Sequence, residues 1–573
     1  MKRNALILSL FAILNLVSCA GSGNNNDNNG GNNGGCDPDD MFCDNNNKEE
    51  ETKIELKDDT NSNYVFDKNI DNKKASVNYE IFVRSFYDSN GDGTGDLNGV
   101  DYKLDYLKDL GVKNLWLMPI NPSPSYHGYD VSDYYKIHPS FGTLDDFKKL
   151  VKDAKDRNMG ILIDLVLNHS SSKNEWFIQS AKDYFNNKTE KGSKKDWYNW
   201  SDKPLSGYAS YSYNGKTAYY EARFDSGMPD LNLDNEEVRN EIKNICKFYL
   251  DIGVAGFRLD ACLYYYTGDN SKNIEFLSWL KKTCSEINPD SYIVGETWSD
   301  QKTIESYYSS GIDSFFYFPS SNNGTGNGSI ISMAKGLTNA PSFGAYIEDT
   351  EKSIKEKNPK GKNSYFLSNH DTDRISNNLY GINAKIGANI AYLLPGTPFM
   401  YYGEEIGLRG VRKENDQSDA RRRLPMIWSK TDKTGECKFP EANRQDLNNT
   451  TQVDVGATDL LNENYSLLNH YKKVLNVRNK YSFIENASFK DLSSIVYKEN
   501  PKVLVYELFD DNNKIIVVHN CSDSNAKVTL KSNDKNLNTK ILDSINTTKK
   551  VPEFNDGTLK IGAKSTVILD VND

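Results

Sequence analysis

Six side chains that could perform acid–base or nucleophilic chemistry stand at the ends of short apolar runs, where the sequence turns from aliphatic to polar. They are three carboxylates, two imidazoles and one guanidinium, namely Asp260, Glu296, Asp371, His169, His370 and Arg258. Carboxylates and imidazoles are the usual proton donors, proton acceptors and nucleophiles of enzymes. Any one of them alone could be a structural ion pair or a cap, so their shared position is the informative feature.

The apolar runs have the length and composition of buried β-strands. Four of them end in the polar groups Asn168-His169, Arg258-Leu259-Asp260, Glu296 and Asn369-His370-Asp371. Because side chains alternate along a strand, Arg258 and Asp260 point to the same side. In barrels of alternating strands and helices, the carboxyl ends of the strands surround one mouth that carries the chemistry. The pattern therefore predicts a single site that contains all six side chains.

Eight such runs alternate with helical patterns, which predicts an α/β fold, a (β/α)₈ barrel of the TIM type. The predicted strands are Tyr79–Val83, Asn114–Met118, Gly160–Leu165, Val254–Leu259, Tyr292–Gly295, Asp313–Tyr317, Ser364–Leu367 and Pro398–Tyr402. The third and fourth strands are too far apart for one βα unit, so an inserted domain of about 60 residues is predicted between them. Strands with a period of two residues follow Tyr481 and predict a C-terminal β-sandwich, with candidates at Lys502–Leu508, Lys514–His519, Lys527–Leu530 and Ser565–Val571.

The first residues of the chain carry a targeting pattern. Lys2 and Arg3 precede an apolar run that is too short to span a bilayer, which is typical of a signal peptide. The run ends in Leu16-Val17-Ser18-Cys19, which resembles the lipobox of bacterial lipoproteins and makes Cys19 the predicted lipidation site. The acidic, Asn-rich and Gly-rich stretch that follows lacks the apolar residues of a core, so we predict a flexible tether. We expect the protein outside the cytoplasm, at the cell surface or facing the periplasm, with its lipid as the only membrane attachment.

These patterns define the expected domains and partners. We predict a signal peptide at 1–18, a tether at 19–74, a barrel at 75–169 and 233–480, an inserted domain B at 170–232 and a sandwich at 481–573. The net charge of −11 argues against nucleic acid as a partner, whereas an uncharged sugar is compatible with it. We expect a monomer.

The segments around the polar groups resemble the signature regions of glycoside hydrolase family 13, the α-amylase family. The resemblance lies in Asp164–His169, Gly256–Asp260, Gly295-Glu296 and Asn369–Asp371, with further similarity in His127–Asp130, Met228–Asn232 and Gly403–Gly407. It extends from about Tyr79 into the C-terminal sandwich. The mixture of motifs is similar to the group between oligo-1,6-glucosidases and neopullulanases, and the lipobox indicates a bacterial lipoprotein.

The resemblance implies a retaining hydrolase that acts on α-1,4 bonds of starch, glycogen or malto-oligosaccharides by double displacement. Asp260 would be the nucleophile, kept ionised by Arg258, and Glu296 would be the general acid and then the general base. Asp371 would stabilise the positive charge that develops on the sugar. Substrate-binding roles are implied for Tyr129, Asp130, His169, Arg258, His370 and Arg423.

One metal site is predicted in the loop after the first strand. Asp88, Asn90, Asp92, Thr94 and Asp96 space oxygen ligands at alternate positions around glycines, which suits Ca²⁺. The loop begins like an EF-hand but has Gly99 where the twelfth-position Glu would be. It resembles instead the calcium loop of some family members, which implies a structural ion.

Several alternatives stay open. Within the family, an α-glucosidase or oligo-1,6-glucosidase, a neopullulanase-type hydrolase and a transglycosylase share these motifs. A non-catalytic glycan-binding surface lipoprotein would require that one of Asp260, Glu296 and Asp371 be replaced, and none is. The neighbour of the nucleophile, Ala261, leaves room at the wall of the site, where relatives specific for α-1,6 bonds tend to have Val. This residue favours α-1,4 cleavage.

Overall fold

The structure is a computed structural model, and it describes residues 54–60, 64–66, 72–321, 326–412, 419–439, 452–532, 535–536 and 539–571. Its α-helices are α1 (Leu97–Tyr102), α2 (Leu104–Leu110), α3 (Leu144–Asp156), α4 (Glu175–Phe185), α5 (Glu236–Ile252), α6 (Asn270–Ile287), α7 (Gln301–Tyr307), α8 (Ser329–Ala334), α9 (Ala340–Lys357), α10 (Ile382–Leu393), α11 (Ala457–Leu461) and α12 (Leu467–Lys480).

The strands of the first two-thirds of the chain are β1 (Asn78–Ile81), β2 (Asn114–Leu117), β3 (Gly160–Leu165), β4 (Trp200–Ser201), β5 (Tyr208–Tyr213), β6 (Lys216–Glu221), β7 (Gly256–Leu259), β8 (Tyr292–Gly295), β9 (Ser314–Phe316), β10 (Lys362–Ser364) and β11 (Phe399–Tyr401). The later strands are β12 (Ser488–Asp491), β13 (Val503–Phe509), β14 (Lys514–Asn520), β15 (Ala526–Thr529), β16 (Lys531–Ser532), β17 (Lys535–Asn536), β18 (Ile541–Ile545), β19 (Glu553–Asn555), β20 (Thr558–Ile561) and β21 (Thr566–Asp570).

Eight parallel strands form the central barrel, and the predicted (β/α)₈ fold is confirmed. Their order is β10-β9-β8-β7-β3-β2-β1-β11. A single parallel bridge between Phe366 and Phe399 joins the two ends of this sheet and closes the ring. The interior is filled by a cluster of large apolar side chains, including Trp116, Leu162, Val294, Phe316, Phe366 and Phe399. This packed interior fixes the strand ends that carry the polar groups.

The predicted bounds of the barrel strands agree with the structure to within two residues except at the end of the seventh strand. We predicted Ser364–Leu367, whereas β10 ends at Ser364, the residue that pairs with Phe316 at the end of β9. Beyond this point, Phe366 keeps only its bridge to β11. The apolar run at 364–367 indicated burial rather than strand pairing, because a residue can lie in the core without pairing to a neighbouring strand.

Local sequence signals set the position of the strands around the site. The Asn235 side chain accepts hydrogen bonds from the amides of Glu237 and Val238 and so begins α5. The same helix ends at Gly253, which adopts a φ of 105°. The chain then enters β7, where a Cβ on Gly256 would lie 1.7 Å from the carbonyl oxygen of Tyr292. Only glycine permits this approach of β7 to β8, the two strands that precede Asp260 and Glu296.

The chain between β3 and α5 forms a small antiparallel sheet of order β4-β6-β5 beside α4. An isolated bridge from His169 to Asp230 connects this insertion to the end of β3, and a second bridge, from Tyr198 to Leu231, joins two segments within the insertion. The insertion therefore stands directly at the mouth of the barrel. His169 lies at the end of β3 and also pairs with the insertion.

The C-terminal part consists of antiparallel sheets, with a five-stranded sheet of order β12-β13-β14-β21-β18 and a three-stranded sheet of order β15-β20-β19. Alternate side chains of the two sheets, such as Val503, Val518 and Leu559, share one apolar cluster. Its contact with the barrel includes a buried ammonium, because Lys564 Nζ donates to the carbonyl oxygens of Ala334 and Cys521, at 2.8 Å each.

The predicted tether of residues 19–74 extends too far, since the described residues 54–60 and 64–66 contact the C-terminal part of the chain. Asp58 forms an antiparallel bridge with Lys550, and Leu56 is buried. The Tyr64 hydroxyl lies 2.7 Å from His470 Nδ1 and donates to the Asn546 carbonyl oxygen at 2.8 Å. Acidic residues dominate the segment, so its composition did not predict that a few apolar and aromatic residues attach it to the folded part.

The signal peptide at 1–18, Cys19 and most of the tether lie outside the described residues. Among the helices that the structure does describe, none is long and apolar enough to cross a membrane.

Candidate active site

Arg258 is the centre of the candidate site. Its guanidinium is buried within β7 and contacts three carboxylates that come from three neighbouring strands. Nη1 donates to Asp164 Oδ1 at 2.9 Å and to Asp260 Oδ1 at 2.7 Å, and Nη2 lies 3.0 Å from Glu296 Oε2. The barrel register explains this arrangement, because Arg258 pairs with Asp164 in β3 and with Val294 in β8.

Glu296 is the carboxyl group whose protonation is best suited to a reaction near neutral pH. Burial raises the pKa of Glu296 to about 7, against the opposing effect of Arg258, and the charges of Asp260 and Asp371 add to the rise. Its Oε2 also accepts a hydrogen bond from the main-chain amide of Ala261 at 3.0 Å. At neutral pH this carboxyl group is therefore protonated in a large fraction of the protein molecules, as a general acid requires.

Asp371 lies in a strongly positive environment. His370 Nε2 is 2.9 Å from Asp371 Oδ2, and Arg423 Nη2 is 3.0 Å from Asp371 Oδ1. Although burial acts to raise it, the pKa of Asp371 is well below its ordinary value because of His370, Arg423 and Arg258. Asp371 is therefore ionised over the whole working pH range.

His370 is a buried cation that contacts the Asp371 carboxylate. Burial favours the neutral ring, but the charges of Asp371 and Glu80 outweigh it and raise the pKa of His370 to about 9. Nδ1 donates to Glu80 Oε1 at 2.5 Å, and Nε2 is 2.8 Å from the Tyr129 hydroxyl. Both ring nitrogens are thus engaged within the protein, so His370 holds Asp371 and Tyr129 rather than reaching freely into the site.

A cleft of about 430 Å³ opens above these groups at the barrel mouth. The three carboxylates Asp260, Glu296 and Asp371 line it, together with the predicted residues Tyr129, His169 and Arg423. Arg258 and His370 lie beneath the lining and contact it through Asp260, Glu296 and Asp371. The structure thus brings together the six side chains that the strand ends predicted.

Two donors at the cleft have no partner among the described residues. His169 Nε2 and Arg423 Nη1 are buried and form no hydrogen bond there. Burial lowers the pKa of His169, so its ring is neutral at pH 7. Buried polar groups normally have partners, and unpaired ones at a cleft are available to a hydroxylated ligand.

Asp130 is the predicted substrate-binding residue that the structure places elsewhere. It is buried, and Oδ1 accepts hydrogen bonds from the hydroxyls of Ser123, at 2.6 Å, and of Ser125. These bonds organise the loop that presents Tyr129, whose ring stacks on His370 at 5.7 Å. The Asp130 carboxylate thus holds the loop in this structure, and its contact with substrate stays a prediction.

Several lining residues were not predicted. They are His127, Phe224, Met228, Leu263, Tyr264, Trp298 and Asp419. Phe224, Tyr264 and Trp298 are large rings with 46, 42 and 39% of their surface exposed, respectively. Exposed aromatic rings of this kind suit stacking on sugar rings. Three of them had positions that could have indicated their place, because His127 and Met228 lie in segments that carry the family resemblance and Trp298 lies two residues after Glu296.

The predicted calcium loop contains only oxygen donors, which fits Ca²⁺ rather than a softer metal. Its side chains also accept main-chain hydrogen bonds, since Asp88 Oδ2 binds the Gly93 amide at 2.6 Å and Asp92 Oδ1 the Thr94 amide at 2.7 Å. Each such oxygen retains a second lone pair for an ion. No group of three or more His, Cys, Asp or Glu side chains arranged to hold a metal was found in the described part of the chain.

Comparison with known proteins gives consistent matches. A family model described as "Alpha amylase, catalytic domain" matches residues 80–487. "Alpha-amylase 3" of Dictyoglomus thermophilum is 40% identical over 456 residues, which cover 78% of this chain and 85% of the relative. An oligo-1,6-glucosidase of Bacillus cereus is 31% identical over 526 residues, which cover 78% of this chain and 90% of the relative. The solved structure of Eubacterium rectale Amy13B has a TM-score of 0.81 at 34% identity and covers 89% of this chain and 97% of its own.

Proposed function

This chain belongs to the α-amylase family and is an α-glucan hydrolase, and we propose that it cleaves α-1,4-glucosidic bonds with retention of configuration. The observation that carries the proposal is the placement of Asp260 and Glu296 on two nitrogens of one guanidinium, at 2.7 and 3.0 Å. Retaining glycosidases need two carboxyl groups about 5–5.5 Å apart, one to attack and one to protonate. Two carboxyl groups that share Arg258 satisfy the requirement for close approach.

In the first step, Asp260 attacks the anomeric carbon while Glu296 donates its proton to the glycosidic oxygen. The bond between that carbon and the leaving oxygen breaks, and an ester to Asp260 forms. Arg258 Nη1 lies 2.7 Å from Asp260 Oδ1 and orients this carboxyl group before the attack. The pKa of Glu296, about 7, supplies the protonated carboxyl group.

In the second step, Glu296 takes a proton from water, and the water oxygen displaces Asp260 from the sugar. The negative charge of Asp260 contributes to the raised pKa of Glu296. Once Asp260 is esterified, this contribution is lost while Arg258 stays 3.0 Å away, so the pKa of Glu296 falls. The same carboxyl group then works as a base, and two inversions give net retention.

The remaining groups stabilise the sugar as it acquires positive charge. Asp371 is ionised at the cleft wall and is fixed by His370 and Arg423. The unpaired donors His169 Nε2 and Arg423 Nη1 are positioned to bind sugar hydroxyls. These interactions strengthen as the charge develops, which is the requirement for transition-state stabilisation.

An oligo-1,6-glucosidase is the second candidate, because a relative of that name is 31% identical over most of this chain. The α-1,4 preference is supported by Ala261, a small residue that lines the cleft beside Asp260. We therefore expect starch and maltotriose to be hydrolysed faster than isomaltose or isomaltotriose, with mixed oligomers as early products from starch.

Initial rates on soluble starch, maltotriose, pullulan and isomaltose, with thin-layer analysis of early products, test this preference. Faster cleavage of isomaltose than of maltotriose would favour the oligo-1,6-glucosidase. Glucose as the sole early product from starch would indicate an exo-acting α-glucosidase, and panose from pullulan would indicate a neopullulanase-type enzyme.

We also propose that the loop of Asp88, Asn90, Asp92, Thr94 and Asp96 binds Ca²⁺ and that the ion stabilises the barrel without touching substrate. The all-oxygen donor set and the burial of Asp88 and Asp96 support this proposal.

We further propose that the enzyme acts as a monomer outside the cytoplasm, attached through a lipid on Cys19. The signal-peptide pattern and the lipobox support this location.

A further inference from the structure

Ala261 adopts a left-handed backbone conformation directly after Asp260. Its φ is 52°, one of a small number of positive values at non-glycine residues in the described chain. Such a conformation is unusual for a residue with a Cβ and points to a local requirement. Ala261 is 7% exposed and lines the cleft, so the requirement acts at the site itself.

The conformation directs the Ala261 main-chain amide at one oxygen of Glu296. The amide donates to Oε2 at 3.0 Å, and Arg258 Nη2 lies 3.0 Å from the same oxygen. Oε1 of Glu296 forms no hydrogen bond within the described residues. One oxygen of the carboxyl group is thus held by a hydrogen bond and an ion-pair contact, and the other is left for the cleft that Glu296 lines.

We propose that the main-chain amide of Ala261 is a positioning group for Glu296, which together with Arg258 fixes Oε2 so that Oε1 carries the transferred proton. The proposal rests on the assignment of Glu296 as acid and base. It adds that the geometry of the acid is set by a backbone amide, and that residue 261 is constrained by its backbone as well as by its size.

The arrangement has two physical consequences. An oxygen that accepts a hydrogen bond from an amide and lies 3.0 Å from a guanidinium nitrogen is a poor site for a proton, so protonation is directed to Oε1. The amide also stabilises the ionised carboxylate and lowers the pKa of Glu296, which partly offsets burial. Loss of the amide alone should therefore raise the pKa of Glu296 and leave its carboxyl group less well oriented.

The test replaces the Ala261 amide by an ester, with lactic acid introduced at position 261 by nonsense suppression in cell-free translation. The methyl group stays and only the N–H is lost. We expect the alkaline limb of the kcat/KM profile to move up by roughly half to one pH unit. We also expect kcat/KM for maltotetraose to fall about tenfold. The loss should be much smaller for 2,4-dinitrophenyl maltoside, whose leaving group needs little protonation.

A matched ester at Ala457 removes one main-chain hydrogen bond far from this carboxyl group, the bond from its amide to the Ile427 carbonyl oxygen. It should not move the alkaline limb. Ala261→Gly keeps the N–H and permits the positive φ. The alkaline limb of its kcat/KM profile should therefore stay at the wild-type pH whatever its kcat. If the 261 ester does not fold, Ala261→Val serves instead, because a β-branched residue disfavours this φ and should turn the amide away.

An unshifted limb and an equal loss on both substrates in the ester or Val protein would overturn the positioning role. Glu296→Gln separates this failure from a failure of the proposed function. If the Gln variant is inactive on maltotetraose while the 261 variants show no shift, only the positioning role is wrong. If the Gln variant hydrolyses maltotetraose normally, the assignment of the acid is itself wrong.

Discussion

At the scale of single residues, the site depends on one buried cation shared by several anions. Arg258 contacts Asp164, Asp260 and Glu296, and a charge buried to this extent requires such partners. Despite this contact with a cation, burial raises the pKa of Glu296 to about 7. The two side chains are similarly exposed, at 13% for Asp260 and 12% for Glu296, and Asp260 has the shorter contact with the guanidinium.

The raised pKa of Glu296 predicts the alkaline side of the pH profile. The general acid must be protonated before the first step, so kcat/KM should fall above about pH 7, where Glu296 loses its proton. Initial rates with maltotetraose between pH 5 and 9 would measure this limb. In Glu296→Gln, the residual activity on 2,4-dinitrophenyl maltoside should lack the limb, and a limb that persists there would assign it to another group.

At the scale of elements, the strand pattern was enough to predict the barrel and the meeting of its polar ends. A period-two strand places Arg258 and Asp260 on one side, and parallel strands bring their carboxyl ends to one mouth. What the sequence did not indicate depends on contacts between distant loops. Phe224 and Tyr264 come from separate loops and have ring centroids 5.0 Å apart, whereas Asp130 accepts hydrogen bonds from Ser123 and Ser125 within its own loop.

The loop after β1 carries the second prediction at this scale. An ion that binds only the folded protein stabilises it by linkage. Chelation should therefore lower the melting temperature by several degrees, and Asp92→Ala should reduce or remove the effect of chelator. Differential scanning fluorimetry with and without EDTA and added Ca²⁺ measures both. Asp432→Ala, an exposed acidic residue outside the loop, provides a control. An Asp92→Ala protein that melts like wild type in both conditions would argue against a site in this loop.

At the scale of the whole molecule, the chain between Cys19 and β1 is partly anchored. Residues 54–60 and 64–66 contact the C-terminal sheets, with Tyr64 bonded to Asn546 and close to His470. A free tether therefore does not include residues 54–60 and 64–66, and the predicted segment is shortened from its C-terminal side.

Lipidation at Cys19 is the prediction that belongs to this scale. A Cys19→Ser protein should no longer fractionate with membranes or incorporate a fatty-acid probe, because its anchor is absent. Soluble starch hydrolysis by the released protein should be retained, since the cleft is built from residues 127–423. Cys437→Ser supplies a control that keeps the lipobox. Unchanged membrane association of the Cys19 variant would contradict the lipid anchor.

The account as a whole makes one claim that a single measurement can test, namely that Asp260 attacks the sugar and Glu296 handles the proton. Asp260→Gly and Glu296→Gly should each abolish starch hydrolysis, and azide should rescue both on an activated α-maltosyl substrate. With Asp260 removed, azide takes the place of the nucleophile in one inversion and gives a β-azide. With Glu296 removed, the ester still forms, azide attacks it without needing a base, and the product is an α-azide.

The anomeric configuration of each azide, read from proton NMR coupling constants, decides the claim. A β-product from Asp260→Gly and an α-product from Glu296→Gly are the predicted results. The reverse assignment, or normal starch hydrolysis by either variant, would contradict the account.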